Sequence, residues 1–310
     1  MNTHHLSIAV IGGGTMGAGI TQLFASNGHR VKLIDIDTQV LSKAKLRISG
    51  ELERLGFEKT NIEQVLSNIE WTNKIEEANS VSIIIEAVPE KIDLKMSVLN
   101  ELESVCSPET IIATNTSGLS IDRLAKELAH PERFIGTHFF MPANVIPLVE
   151  VVKGASTSEK TIEIVMTLLK DNNKKPVLIK KDIPGFIGNR IQHAMAREAI
   201  SLLEQGVASA EDIDTVVRYS LGPRLLFTGP LEQRDLNGLD VHYHIASYLY
   251  EELENRTEPA QLLTEKVEAG ELGIKTGKGF YDWNNHDAQS VLENKNAAIL
   301  QLMKALKAME

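Results

Sequence analysis

Cysteine is nearly missing from this chain: Cys106 stands alone among 310 residues. A single thiol excludes an intramolecular disulfide framework and fits a reducing, cytoplasmic setting. Nothing near Cys106 in the sequence resembles a base that would activate it as a nucleophile. Soft ligands are therefore scarce, and no set of His, Asp and Glu falls at metal-ligand spacing, so no metal is expected. His242 and His244 are two residues apart, a spacing that points them away from each other on a helix. Long apolar runs are missing as well. No stretch approaches the roughly 20 apolar residues that cross a bilayer, and Met1-Asn2-Thr3-His4-His5 does not read as a signal peptide, because a strand pattern begins almost at once. Excess positive charge is the third absence. With 32 Lys and Arg against 42 Asp and Glu, the formal net charge is −10. That argues against nucleic acid or an anionic membrane surface as a partner, while leaving room for an anionic ligand in a local basic pocket. There is no internal repeat and no low-complexity tract.

What remains is an ordinary globular composition, 43% hydrophobic and 24% charged, at a length that suggests two domains. Its most informative stretch is Ser7-Ile8-Ala9-Val10-Ile11-Gly12-Gly13-Gly14-Thr15-Met16-Gly17. An apolar, β-branched run leads into Gly-x-Gly-x-x-Gly, and a helical pattern follows. In such a strand–turn–helix, Gly12 permits the tight turn and Gly14 permits close approach of a pyrophosphate. Gly17 lets helix and strand pack closely, with the helix N-terminal N–H groups facing the phosphates. Val31-Lys32-Leu33-Ile34-Asp35 reads as a second strand ending in an acid about 20 residues further on, as the dinucleotide fingerprint requires. Asp35 would accept hydrogen bonds from the adenosine ribose and repel a 2′-phosphate, which favours NAD over NADP.

The first half alternates strand-like and helix-like runs. Strands are expected at 7–11, 30–34, 81–88, 110–115, 133–140, 147–152 and 176–180. Helices are expected at 15–27, 39–56, 61–69 and 91–105. This alternation predicts an α/β fold of the Rossmann type, a doubly wound, mostly parallel sheet with helices on both faces. After Asp182-Ile183-Pro184-Gly185 the strand signals fade. Helices are expected over 185–205, from Ser209 as a cap, over 239–253 and over 259–269. The division is therefore a dinucleotide-binding domain at 1–182 followed by an all-helical substrate and dimerisation domain at 183–310.

Four polar positions fall where the carboxyl ends of strands should lie: Ser117 after a buried-looking strand, His138, Glu150 and Asn189. Ligands of open α/β sheets sit at those ends. Oxidation of an alcohol with NAD needs a base near neutral pKa to take the hydroxyl proton, and imidazole suits the task. A carboxylate on the far ring nitrogen would fix the tautomer. Ser117 and Asn189 could hydrogen-bond the substrate oxygen. Spacing alone is equally consistent with a purely structural His–Glu pair.

Taken together, Gly12–Gly17, Ile85-Glu86-Ala87-Val88-Pro89-Glu90, Asn115-Thr116-Ser117, His138-Phe139-Phe140, Leu148-Val149-Glu150-Val151, Pro184–Arg190, Glu211–Asp214, Gly238-Leu239-Asp240 and Lys275–Tyr281 resemble the L-3-hydroxyacyl-CoA dehydrogenase family over nearly the whole chain. The resemblance implies that His138 is the general base, Glu150 its orienting partner, and Ser117 and Asn189 contacts to the reacting oxygen. It implies NAD contacts at Gly12, Gly14, Thr15, Met16, Gly17, Asp35, Glu90, Lys95, Ser117 and Lys275. It also implies a homodimer formed through the helical domain and a small-molecule substrate, an acyl-CoA.

The chain departs from the family pattern in three places. Met141 stands where the family often has Asn, which removes one cofactor-side hydrogen bond. The helix after the second strand carries Glu51, Glu53 and Glu58 where the acyl-CoA enzymes carry small polar and basic CoA contacts. An acidic lining would repel CoA phosphates, and Lys43, Lys45, Arg47, Arg54 and Lys59 could offset it according to the face they occupy. Residues 220–232 form a longer, Arg-bearing version of the usual loop, similar to superfamily members that oxidise carnitine, gulonate or a pyridine alcohol. Arg224 is either a bidentate partner for a free carboxylate or a solvated loop charge. The alternative substrate is accordingly a small non-CoA hydroxy acid or alcohol.

Overall fold

Ile8-Ala9-Val10-Ile11 is apolar at every position because both faces of the strand it forms are covered. In the computed structural model, which describes residues 6–309, this strand β1 (Ile8–Ile11) is buried throughout. The chain then runs α1 (Thr15–Ser26), β2 (Val31–Ile34), α2 (Thr38–Arg54), α3 (Lys59–Ser67), β3 (Ile69–Thr72), β4 (Ile83–Glu86), α4 (Ile92–Val105), β5 (Ile111–Thr114), α5 (Ile121–Ala125), β6 (Phe134–Phe139), β7 (Leu148–Val152), α6 (Glu159–Asp171) and β8 (Lys175–Ile179). Residues 1–5, which do not read as a signal peptide, lie outside the described residues.

All eight strands join one sheet in the order β3-β2-β1-β4-β5-β6-β7-β8. Strands β1 to β6 are parallel to one another. The chain then reverses: β7 pairs antiparallel with β6, and β8 runs parallel to β7. This is the expected doubly wound, Rossmann-type sheet, with its topological switch beside β1, where the strand order turns from β3 back to β4.

Alternation along the strands splits the interior into two cores. Ile8 and Val10 of β1 face one cluster with Leu33, Ile83 and Ile85, roofed by α1, α2, α3 and α6. Ala9 and Ile11 face the other with Ile84, Ile112 and Leu99. Each large aliphatic side chain buried this way contributes about 1.5–3 kcal/mol. Helix starts are held by local chemistry: Asp37 caps α2 by accepting from Gln39 N–H, and Ser158 caps α6 by accepting from Thr161 N–H.

The sequence pattern runs a helix through residue 69, but α3 ends at Ser67 and Ile69-Glu70-Trp71-Thr72 forms the edge strand β3. Four residues in alternation, paired on one side only with β2, are too short to stand out beside a neighbouring helical pattern.

The contacts divide the chain after Asn189, inside α7 (Gly188–Glu204), rather than at 182/183 as the sequence reading expects, and they count the segment from Ile299 onward with the sheet unit. The first turn of α7 stays with the sheet because the Gly188 N–H donates to Glu150. The second unit is helical: the rest of α7, α8 (Ala210–Val216), a π-helical turn at Val217–Leu221, α9 (Gly222–Phe227), α10 (Pro230–Asn237), α11 (Leu239–Leu249), α12 (Gln261–Glu268) and α13 (Ala288–Met309), which runs on past the division. Ser209 caps α8 by accepting from Asp212 N–H at 3.1 Å, as its position predicts. Residues 220–232, expected as a loop, are instead mostly helical. Pro223 lacks the N–H for an α-helical bond beside the π turn, and Pro230 opens α10 in the first turn, where proline is tolerated. Among the described residues no helix is long and apolar enough to cross a membrane.

Candidate active site

The antiparallel reversal does more than end the parallel sheet. In its register His138 of β6 lies directly opposite Glu150 of β7. Directly opposed residues on neighbouring strands face each other, and here His138 Nδ1 and Glu150 Oε2 are 2.8 Å apart. Both are nearly sealed from solvent, at 6% and 2% exposure. The other carboxylate oxygen of Glu150, Oε1, accepts from the Ile187 and Gly188 N–H groups at 3.0 and 2.8 Å. Burial pushes the Glu150 carboxyl up, but the hydrogen bonds from His138, Gly188 and Ile187 outweigh it and hold the group below the usual carboxylate range. An ionised Glu150 can only accept. His138 must therefore donate from Nδ1, which leaves Nε2 as a lone-pair acceptor, the form a general base requires. The ring is walled by Phe140 and Phe186, with centroids at 4.5 and 5.9 Å.

The turn that delivers the two amides is bent unusually. Gly185 and Phe186 both have positive φ, 75° and 48°, and Phe186 is a non-glycine residue held there fully buried. Such backbone is costly and persists only where its surroundings impose it. Here it aims the start of α7 at Glu150.

At the amino-terminal end of the chain the glycine loop has the form that a dinucleotide needs. Gly12 has φ of 100°, and a Cβ on Gly17 would lie 1.8 Å from the Gly12 carbonyl oxygen, so only glycine permits this turn and this approach of helix to strand. Gly14 meets nothing within 4 Å where a Cβ would stand, and as the N-cap of α1 it offers no side chain to the first N–H groups. Uncapped donors beside open space are an anion cradle. Asp35, just past β2, accepts from Gly13 N–H at 2.7 Å and from Asp37 N–H at 2.9 Å. With about four acceptor sites on its two oxygens, it retains capacity for ribose hydroxyls. These residues fit a bound dinucleotide. Thr15 is exposed and Met16 packs its side chain against the core below.

A third group sits at the ends of β4 and β5. Glu90 Oε1 accepts from Ser117 N–H at 2.8 Å and from Thr116 Oγ1 at 2.5 Å. Asn189 Nδ2 donates to the Ser117 carbonyl oxygen at 2.8 Å. The structure thus brings Glu90, Ser117 and Asn189 together. Lys95 lies behind them with 0% exposure, its ammonium on both oxygens of Glu86 at 2.8 and 3.1 Å, on the Val88 carbonyl at 3.2 Å and 3.4 Å from Glu90. Thr114 Oγ1 completes the buried acid by donating to Glu86 at 2.6 Å. Lys95 therefore holds the strand ends and Glu90 in place and does not present a free charge.

Two expected residues lie in the helical unit. Lys275 is exposed in the turn between the bridged Gly273 and Lys278, and Arg224 is exposed on α9. Met141, in place of Asn, is 66% exposed. Of the acids on and after α2, Glu53 and Glu58 are exposed, while Glu51 accepts from Asn144 Nδ2 at 3.0 Å. Three contributors are not singled out by the sequence: the Ile187 and Gly188 amides, which are backbone, and Asn115, whose Oδ1 accepts from Phe139 N–H at 2.9 Å. The Asn115-Thr116-Ser117 run was a usable signal for the last. Among the described residues no three His, Cys, Asp or Glu side chains gather as a metal site.

Comparison with known proteins identifies the family. Residues 7–183 match the family model described as the 3-hydroxyacyl-CoA dehydrogenase NAD binding domain, and residues 185–283 match the corresponding C-terminal domain. The chain is 39% identical over 284 residues to a 3-hydroxybutyryl-CoA dehydrogenase of Clostridioides difficile, covering 90% of this chain and all of that one. It is 32% identical over 308 residues to a 5-formyl-3-hydroxy-2-methylpyridine 4-carboxylate 5-dehydrogenase of Mesorhizobium japonicum, covering 98% and 99%. Among solved structures, a 5-formyl-3-hydroxy-2-methylpyridine 4-carboxylic acid 5-dehydrogenase described as an NAD+ dependent dismutase superposes with a TM-score of 0.90 at 31% identity, over 97% of this chain and 98% of that one. A (S)-3-hydroxybutyryl-CoA dehydrogenase of Ralstonia eutropha gives 0.75 at 36% identity, over 89% and 98%.

Proposed function

This chain belongs to the 3-hydroxyacyl-CoA dehydrogenase family of NAD-dependent oxidoreductases, and from that premise we propose that it reversibly oxidises the hydroxyl of a 3-hydroxyacyl-CoA to the 3-oxoacyl-CoA. The observation that carries this reading is the buried His138–Glu150 pair, 2.8 Å apart at the sheet end that also bears the dinucleotide cradle. Bound NAD would supply the acceptor for the hydride that leaves the carbinol carbon. Every other task falls to the chain. His138 Nε2 takes the hydroxyl proton, and Glu150 stabilises the imidazolium that results without itself being protonated. Ser117 and Asn189 hydrogen-bond the reacting oxygen. The glycine loop at Gly12, Gly14, Thr15, Met16 and Gly17 holds the pyrophosphate, Asp35 the adenosine ribose, and Glu90, braced by Lys95, the nicotinamide end together with Ser117. The family resemblance assigns a further cofactor contact to Lys275.

A second substrate reading has its own support. The pyridine-carboxylate dehydrogenase superposes on this chain with a TM-score of 0.90, against 0.75 for the hydroxybutyryl-CoA enzyme named above. The C-terminal family model stops at residue 283, ahead of α13. Glu51, fixed by Asn144, is a poor neighbour for CoA phosphates, and Arg224 suits a free carboxylate. On this reading the substrate is a small non-CoA hydroxy acid or alcohol. Purified protein, NADH and acetoacetyl-CoA decide between them when run beside free acetoacetate, dehydrocarnitine and 5-formyl-3-hydroxy-2-methylpyridine 4-carboxylate. NADH loss with the thioester alone supports the first reading; loss only with a free acid replaces it with the second.

The helical domain also forms a homodimer on this proposal. Among the described residues from Arg190 on, only Ser201 and Ala260 are buried, while Tyr219, Leu231, Leu236 and Tyr243 are each at least 70% exposed. Apolar surface on that scale marks an association site. Light scattering that returned a monomeric mass at micromolar concentration would refute the dimer.

A further inference from the structure

Arg47 lies midway along α2, and its side chain makes an unexpected choice of partner. Glu51 is one turn further on, at the i, i+4 spacing at which opposite charges on a helix ordinarily pair. The two do not pair. Glu51 turns to Asn144, and Arg47 turns the other way, donating from Nη1 to Thr15 Oγ1 at 3.0 Å. Thr15 is the first residue of α1, directly after Gly14. A guanidinium carries five N–H donors, and among the described residues Thr15 is the one polar partner that Arg47 has. An exposed cation without a carboxylate is thus anchored beside the uncapped start of α1, where Gly14 leaves space open.

We propose that Arg47 is a phosphate-binding residue that closes over the pyrophosphate of the cofactor from α2, opposite the N–H groups at the start of α1. The proposal rests on the cofactor lying along the glycine loop. The planar fork of arginine suits this task, because one edge can hold Thr15 while the other meets phosphate oxygens. Two other anions are less well served. A 2′-phosphate would meet the carboxylate of Asp35, which is tied to Gly13 on the other side of Gly14. The phosphates of CoA would meet Glu51 one turn along the same helix.

The test is equilibrium binding by titration calorimetry, with no turnover, of ADP, adenosine, NADP and free CoA to wild type, Arg47→Gln and Arg47→Lys. Arg47 is exposed and packs no core, so both variants should melt as wild type does. Loss of one charge-assisted contact should weaken ADP about 5- to 30-fold in R47Q at low salt, with adenosine unchanged. R47K should fall between, since it keeps the charge and loses the fork. The difference should shrink at about 1 M salt, where the screening length is only about 3 Å. An unchanged ADP affinity overturns the proposal. So does an equal loss for adenosine, which lacks the pyrophosphate, or a loss confined to CoA or to NADP.

Discussion

Replacing Glu150 with Gln removes one charge and almost no volume, and the structure makes its effect calculable. Glu150 Oε1 holds the Ile187 and Gly188 N–H groups, and Oε2 faces His138 Nδ1. In the variant the amide oxygen must stay with the two backbone donors, which turns the amide NH2 toward His138. Nδ1 can then only accept, the ring proton moves to Nε2, and His138 loses the lone pair that takes the substrate proton. Restoring the active tautomer means flipping the amide and leaving two part-buried N–H groups without their acceptor, at up to about 1–3 kcal/mol each. The total of about 2–6 kcal/mol, at 1.36 kcal/mol per tenfold, predicts a fall in kcat of roughly 30-fold to 3 × 10⁴-fold, the same logic by which an orienting Asp acts in a serine protease. Steady-state kcat at saturating substrate measures it, with NAD affinity by fluorescence as the control, because the glycine loop and Asp35 are untouched. A second signature lies in stability. The Glu150 pKa is held below its ordinary 4.5 in the folded chain, so the ionised group stabilises the fold above that pH and its contribution is lost as the pH falls through the lower folded value. Wild type should therefore lose melting temperature faster than E150Q on acidification below about pH 4.5. A variant with kcat within about tenfold of wild type would refute the tautomer argument.

Three further outcomes follow from the same contacts. His138→Ala should lower kcat by about 10²- to 10⁴-fold with NAD affinity nearly unchanged, and near-normal turnover would remove His138 from the chemistry. Asp35→Ala should weaken NAD and narrow its preference over NADP; an unaltered preference ratio in competition binding would place the discriminating contact elsewhere. Lys95→Met should leave the Glu86 carboxylate buried without its cation and destabilise the chain by about 3–5 kcal/mol in urea unfolding, whereas a change below about 1 kcal/mol would mean that Thr114 and the Val88 N–H satisfy Glu86 by themselves.

Much of the fold was legible because its signals are local. The apolar run of β1, the glycines after it and the acid after β2 are each explained by contacts within a few residues or to the adjacent strand. The edge strand β3 was not legible, since four residues paired on one side offer little pattern. The helical nature of 220–232 was hidden for a different reason. Gly222-Pro223 and Gly229-Pro230 read as breaks, but Pro230 falls in the first turn of α10, where its missing N–H is tolerated, and Pro223 is accommodated beside the π-helical turn. Lys95 shows a limit of another kind. Its motif suggests a cofactor contact, and only the packing reveals that its charge is spent beneath the site on Glu86 and Val88.

The pairing of His138 with Glu150 depends on long-range geometry that no spacing encodes. They are twelve positions apart in the chain, and the link from Phe139 to Leu148 is too short for a parallel crossover but leaves the register of an antiparallel return open. What brings them together is the reversal of β7, and what keeps them together is alternation. Thr137, His138 and Phe139 oppose Val151, Glu150 and Val149. Side chains alternate between faces along each strand, so His138 and Glu150 share one face, and Val149 and Val151 point into the first hydrophobic core on the other. A slip of one residue in β7 would drive Glu150 into that core and swing a valine toward the imidazole. The apolar burial of the two valines, at about 1.5–3 kcal/mol each, therefore acts as the register lock for the catalytic pair. Val149→Ala and Val151→Ala should thus lower kcat more than they lower NAD affinity, even though neither side chain meets the site.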